Sequence, residues 1–405
     1  MRWFIAAYVA VVLLLGGVTV VGASVLVDAG SSDPADKYAF NLLTWEARHF
    51  PEKWLYRIGD FLHGNGKGED DNGILKRYFN LTRREDRLQE QDPQSPELDT
   101  MENERAYLEN TVEDIIEGRL TSIIEDQHLT AEPPLFSDLG VVFPPLDFEF
   151  DQPPRVLVTS PREKIELKSD DLLTPGLTLD TVEQIERESE QDGHTSALVV
   201  QSGGVATYPS VIDNLDDYGH VIEIVSHEWT HQYLAFYPLG AKYFAGSELR
   251  TLNETVATIS GKELAALYFQ RYGELDLSAS DPEPAPPSPT PVPDAPTPLL
   301  FDFTTEMRAL RTQVEAMLSQ GKVDDAEALM RQKREEFADH GYYIRRLNQA
   351  YFAFYGFYAT GPGSIDPIGP KMEQLLKNAG SEGEFIRRAR SITSVADLDA
   401  SLASG

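Results

Sequence analysis

The sequence predicts an α+β protein of several units, and three observations lead there. At about 150 residues per domain, 405 residues imply two or three units. The stretch from Phe143 to Gln201 carries short alternating patterns around a single helix, whereas both flanks show helical spacing. Nine prolines between Pro282 and Pro298 interrupt the chain where neither a helix nor a central strand can continue. The expected division is residues 1–28, 29–143, 144–280, 281–299 and 300–405.

Residues 3–27 contain no ionisable side chain except Tyr8. As a helix they would reach roughly 37 Å, enough to span the hydrocarbon layer of a bilayer. Arg2 precedes the run, and Asp28, Asp33 and Asp36 follow it. That asymmetry predicts a single-pass transmembrane helix with a cytoplasmic amino terminus and an extracytoplasmic body. A cleavable signal peptide ending near Val21-Gly22-Ala23 is the alternative; its apolar region would ordinarily be shorter. Either reading exports the remainder.

Residues 29–143 read as mostly helical, with a glycine-rich loop from His63 to Gly73 and an amphipathic helix from Glu102 to Gln127. The acidic face of that helix is expected to be solvated. In the central unit, Asp147–Phe150, Arg155–Ser160, Glu163–Lys168 and Ala197–Gln201 have strand character, Thr178–Glu190 is helical, and another helix begins near Asp217. Beyond the proline tract, helices are expected over Thr304–Ser319, Asp324–Asp339 and Tyr342–Tyr358, with a short one near Met372–Asn378.

The formal charge of −31, with no basic run longer than Arg83-Arg84 or Arg387-Arg388, argues against nucleic acid as a partner. Zero cysteines exclude disulfides, thiolate catalysis and thiolate metal ligands.

His227-Glu228-Trp229-Thr230-His231 is the most informative stretch. On a helix, residues four apart stand over one another, so both imidazoles can face one cation, and Glu228 can reach a water beside it. A catalytic zinc takes a third protein ligand and leaves a position for water. Glu254 is the candidate, on a second helix whose neighbouring face (Ala257, Thr258, Gly261, Ala265) is small enough for close approach. Glu248 and, less favourably, Glu223 compete with it. His220, two turns before His227, suits a hydrogen-bonded structural role, and His194 and His340 suit exposed turns. Arg345 and Arg346 suit surface ion pairs better than a substrate carboxylate.

His227–His231 together with Asn253–Ala257 resembles the gluzincin metallopeptidases, which include thermolysin-like proteases and one-zinc aminopeptidases. The resemblance implies a zincin-like core, a small mixed sheet plus the histidine helix, completed by a helical C-terminal lobe. It implies one Zn2+ held by His227, His231 and Glu254, with Glu228 as general base in hydrolysis of a peptide or protein substrate. A neutral donor would steady the oxyanion: Tyr351 first, with Tyr355, Tyr343 and Tyr208 as alternatives. The stretch Gly203–Tyr208 stands where the aminopeptidases carry an exopeptidase motif that this chain lacks. Gly204 and Tyr208 are the expected substrate-binding residues, beside the strand Ala197–Gln201 to which a substrate backbone can add. Two departures are the 22 residues between His231 and Glu254, more than either group has, and Thr258, where thermolysin-like enzymes place a supporting acid. Two other readings remain open: a catalytically silent binding or adhesion module on the same scaffold, and a zinc hydrolase of non-peptide bonds.

Overall fold

The structure, a computed structural model, describes residues 34–41, 45, 70–129, 142–215, 217–277 and 301–403. The apolar segment 3–27 and the proline tract 282–298 lie outside the described residues. Among those described, no helix is long and apolar enough to cross a membrane.

Helix α1 (Asp71–Gln91) begins where Asp70 caps it, Oδ1 accepting from Asn72 N at 3.3 Å. The expected loop therefore ends at Asp70. Helix α2 (Glu97–Asp126) buries Leu108, Val112, Ile116, Leu120, Ile123 and Ile124 along one stripe. Both helices join the largest hydrophobic core of the molecule.

Among the described residues six strands form two small sheets, so the fold is α+β and predominantly helical. β1 (Phe148–Phe150), β6 (Ser210–Ile212) and β5 (Gly204–Val205) form one sheet in the order β1-β6-β5, with β1 parallel and β5 antiparallel to β6. β2 (Arg155–Pro161), β3 (Ser169–Leu173) and β4 (Thr195–Gln201) form the other, antiparallel, in the order β3-β2-β4. Strands β2 and β4 are buried almost throughout because both faces of the sheet are covered. Leu157, Leu173, Ala197 and Val199 pack on Val182 and Ile185 of α3 (Leu179–Ser189). Val156, Val158, Leu198 and Val200 meet Ala350, Tyr351, Phe354 and Tyr355 from the opposite side.

The expected strand over Glu163–Lys168 is instead the hairpin connection, and pairing starts at Ser169 opposite Thr159. Ile165 and Leu167, which suggested alternation, pack into two different apolar clusters.

Paired glutamates close two sheet edges. On α2, Glu113 and Glu117 are buried and accept from the backbone N–H of Phe150 (2.8 Å) and Phe148 (3.1 Å). On α3, Glu186 and Glu190 accept from Val199 N (2.7 Å) and Ala197 N (2.9 Å). Residues four apart on a helix thus match alternate residues of a strand, giving edge amides the partners that another strand would supply. This replaces the solvated reading of the α2 acidic face at those two positions.

The histidine helix α4 (Tyr218–Leu234) is capped by Asp217 and followed by the short α5 (Pro238–Ala241); the glutamate helix is α6 (Ser247–Tyr272). After the proline tract, α7 (Phe303–Ser319) and α8 (Val323–Asp339) form a hairpin around Met307, Leu310, Val314, Met330 and Phe337. The expected long aromatic helix is shorter, α9 (Gln349–Tyr355). Residues 342–348 run outside a helix because Arg345 and Arg346 reach back to Glu186 and Glu190, and Asn348 begins α9 by accepting from Tyr351 N at 3.0 Å. Helices α10 (Ile368–Ala379), α11 (Glu382–Ala389) and α12 (Val395–Ala403) share the main core with α4 and α6. The last two had no counterpart in the sequence reading.

Candidate metal centre

Two helices build the site by lying against each other. α4 is buried on most of its circumference: Val221, Ile222 and Val225 enter the core, and Trp229 Nε1 donates to Pro144 O at 3.0 Å. α6 approaches through Gly261. A methyl group there would come within 2.8 Å of Glu223 O and 3.2 Å of His227 Cβ, so only glycine allows this separation.

At that contact His227 Nε2 and His231 Nε2 stand 3.0 Å apart, and Glu254 Oε2 lies 3.7 Å and 3.4 Å from them. One ligand-type atom from each residue falls within 4.8 Å of the others. Ligands about 2.0–2.1 Å from a tetrahedral ion are separated by about 3.3 Å, so this donor set could hold a metal ion. His231 Nδ1 meets Asn253 Oδ1 at 2.7 Å, and a carbonyl oxygen can only accept. That bond puts the neutral ring's proton on Nδ1 and the lone pair on Nε2, facing the cluster. The Ala257 backbone lies close enough to His227 to favour its charged form. The hydrogen-bonded support of the His231 ring therefore comes from Asn253, and the Thr258 hydroxyl, where an acid would stand, makes no hydrogen bond among the described residues. Asn253 is also the asparagine of a glycosylation sequon, but it is 1% exposed.

Burial and mutual charge set the protonation states. Burial lowers His227 to about 3, helped by His231. Burial acts the same way on His231, but Glu254 and then Glu228 outweigh it and hold the ring up at about 9. Glu254 is pulled down to about 2 against its own burial by His231, His227 and Tyr243. Burial raises Glu228 to about 7, with Glu254 adding to the effect and His231 opposing it. Among the described residues Glu228 has no ion pair or hydrogen bond, and it packs against Gly204: a methyl group at 204 would meet its Oε1 at 2.8 Å and Cγ at 3.0 Å.

The other candidates fall elsewhere. Glu248 is exposed and accepts from Val395 N, and Glu223 contributes its carbonyl to the helix contact. Tyr351 packs against Tyr355 and Phe352 over the β3-β2-β4 sheet, and Tyr343 is 85% exposed. Tyr208 is buried at 3%. The tyrosine beside the cluster is Tyr358, two turns beyond Tyr351 and past the end of α9. Its ring centroid lies 6.4 Å from that of His227, and burial with Glu254 and Glu228 nearby keeps its phenol protonated. A second unanticipated residue, Tyr243, donates to Glu254 Oε1 at 2.5 Å. Tyr243 and Arg250 also wall a cavity of about 710 Å³, together with Phe244, Phe352, Phe357 and Leu167. His220, His194 and His340 are exposed, and the ring of His340 stacks on Phe301 at 4.0 Å.

The strand β4 is not an open edge. Besides the two glutamates on its amides, Asn348 Nδ2 donates to Ala197 O (2.8 Å) and Arg345 to Val199 O (3.0 Å). Arg345 and Arg346 are thereby committed to Glu186, Glu190 and the strand. Among the described residues, the edge left open next to Glu228 is β5. The bond from Asp213 N to Gly203 O, with the pairing of Gly204 to Ile212, makes Gly204 a non-hydrogen-bonded position whose N–H and C=O face away from β6.

Comparison with known proteins returns no match: no family profile, curated protein or solved structure is significantly similar to this chain.

Proposed function

We propose that this protein is a zinc-dependent peptidase of the gluzincin kind, tethered by its apolar amino-terminal segment with the catalytic body outside the cytoplasm. The observation that carries the reading is the convergence of His227 Nε2, His231 Nε2 and Glu254 Oε2 at tetrahedral ligand spacing, with buried Glu228 beside them. Two imidazoles and a carboxylate, with no thiolate available, suit zinc. A zinc ion held there supplies Lewis acidity, bringing the pKa of a water toward about 7.

The chain's own residues supply the rest. Glu228 titrates near neutrality, so it can take a proton from the attacking water at its carboxylate and return it to the leaving amine. The protonated phenol of Tyr358 is a donor for the oxyanion that forms at the substrate carbonyl. The outward N–H and C=O of Gly204 can pair with an extended backbone, favouring a peptide over a compact substrate. Its contact with Glu228 brings that backbone to the base.

The test pairs metal analysis of the purified protein with cleavage of a peptide library by wild type and Glu228→Gln. Equal zinc in both, with turnover falling at least ~10²-fold in the variant, is the expected result. Zinc without turnover in either leaves a binding module, and turnover only of esters or other non-peptide bonds makes the protein a different zinc hydrolase.

A further inference from the structure

Glu254 carries two oxygens, and the structure treats them differently. Oε2 is the one near both imidazoles, at 3.7 Å and 3.4 Å, while Oε1 receives the Tyr243 hydroxyl at 2.5 Å. The carboxylate is almost wholly enclosed, with 7% of its side chain exposed, so no bulk water competes for Oε1. An O–H···O⁻ bond to an ionised carboxylate is among the stronger kinds available to a side chain.

Tyr243 is itself held. It sits in a 3-10 turn (Tyr243–Ala245) in the connection between α5 and α6, with its ring edge-on to His231 at 6.1 Å. The Arg250 guanidinium lies 5.4 Å from the Tyr243 ring centre and 4.6 Å from that of Phe357. Arg250 NH1 pairs with Asp170 on β3 at 2.7 Å. Since Arg250 precedes Glu254 by one helical turn, both share a face of α6. A continuous chain of contacts therefore runs from a sheet strand through Asp170, Arg250 and Tyr243 to one oxygen of Glu254.

We infer that Tyr243 is a positioning residue that restricts Glu254 to binding metal through Oε2 alone, with Asp170 and Arg250 holding the tyrosine in place. The inference rests on the metal-centre reading above. A carboxylate free to turn can bind a cation through both oxygens, which fills the position a water would need and favours ions that accept more than four ligands. An oxygen already engaged by a phenol proton is a poor second donor. The pairing thus biases the site toward four-coordinate ions and keeps one position accessible.

Tyr243→Phe removes the hydroxyl and keeps the ring against Arg250, His231 and Phe244. Zinc affinity of the full chain is measured by competition with a chromophoric chelator, and coordination by the visible absorption of the Co2+-loaded protein. The variant is expected to bind zinc about 10–100-fold more weakly. Its cobalt absorption should lose intensity, as coordination rises above four, and its melting temperature in excess chelator should match wild type. Wild-type affinity and an unchanged cobalt spectrum in Tyr243→Phe overturn the inference while leaving the metal centre intact. If the wild-type protein takes up neither ion, the metal-centre reading fails and carries this inference with it. Should Tyr243→Phe not fold, Asp170→Asn bears the test: a smaller loss of zinc affinity with the same spectral change supports the chain of contacts, and no change in either overturns it.

Discussion

Two edges of the sheets are finished in opposite ways. Along β4, the N–H and C=O groups of Ala197 and Val199 all bond to side chains of Glu186, Glu190, Arg345 and Asn348. Along β5, Gly204 turns its N–H and C=O outward beside Glu228. The two buried glutamates follow the same division. Glu186 is 1% exposed, yet Arg345, the Val199 amide and Arg346 outweigh its burial and hold it below the ordinary carboxylate range. Glu228 is 7% exposed and, without such partners, is pushed up to about 7. Partners, rather than depth, decide which buried acid is a fixed charge and which can exchange a proton.

Breaking the closed edge should therefore cost stability and leave chemistry alone. Glu186→Ala takes the carboxylate from Arg345 and the Val199 amide, while Arg346 keeps Glu190, with an expected loss of about 2–3 kcal/mol. Urea unfolding measures this, and zinc content and turnover per folded molecule should equal wild type. A loss of turnover matching the loss of stability would make the β4 edge part of the site and end the contrast.

The difference between the two edges also marks what could be read from sequence. The histidine pair was legible because i, i+4 on a helix is a local relation, and Glu254 because Ala257, Thr258, Gly261 and Ala265 leave one face of α6 small. Gly261 is where the helices touch. Tyr243 and Tyr358 were not legible, because one lies in the connection between ligand helices and the other beyond the end of α9. Tyr351, on the same aromatic stripe two turns earlier, carried the same sequence signal and packs on the sheet instead. The edge-closing glutamates had a visible signal, since Glu113 and Glu117 lie within the apolar stripe of α2, but acidic residues on a helix ordinarily face solvent. Open and closed edges look alike until the helix that covers one of them is known.

A third buried acid sharpens the point, because it has neither the partners of Glu186 nor the position of Glu228. Glu382, at the start of α11, is 4% exposed; burial, with Glu263 nearby, raises it to about 8 against a modest opposing effect of Ser260. A carboxyl whose folded pKa lies above its unfolded value contributes stability that is complete below about pH 4.5 and disappears as pH rises through about 8. Glu382→Gln imitates the protonated form. Its advantage over wild type should be near zero at pH 4 and grow to ~4 kcal/mol by pH 8. Melting curves of both proteins across that range supply the measurement. A constant difference would mean that Glu382 is ionised in the folded protein and finds a partner.

The smallest change probes the open edge itself. Gly204 has no side chain, and the first atom of one would stand 2.8 Å from Glu228 Oε1 and 3.0 Å from Ile224 Cγ2. Glu228 is the flexible neighbour, so in Gly204→Ala it moves while the backbone stays. The outward N–H and C=O at position 204 survive the substitution, so a substrate backbone pairs as before and KM changes little. On the peptidase reading proposed above, Glu228 is displaced from the water it would deprotonate, and kcat is expected to fall by about tenfold for a shift costing about 1.4 kcal/mol in the transition state. Zinc content and melting temperature stay close to wild type. The opposite split, KM rising with kcat intact, would place Glu228 away from the reacting water and leave the β5 edge as a binding surface only.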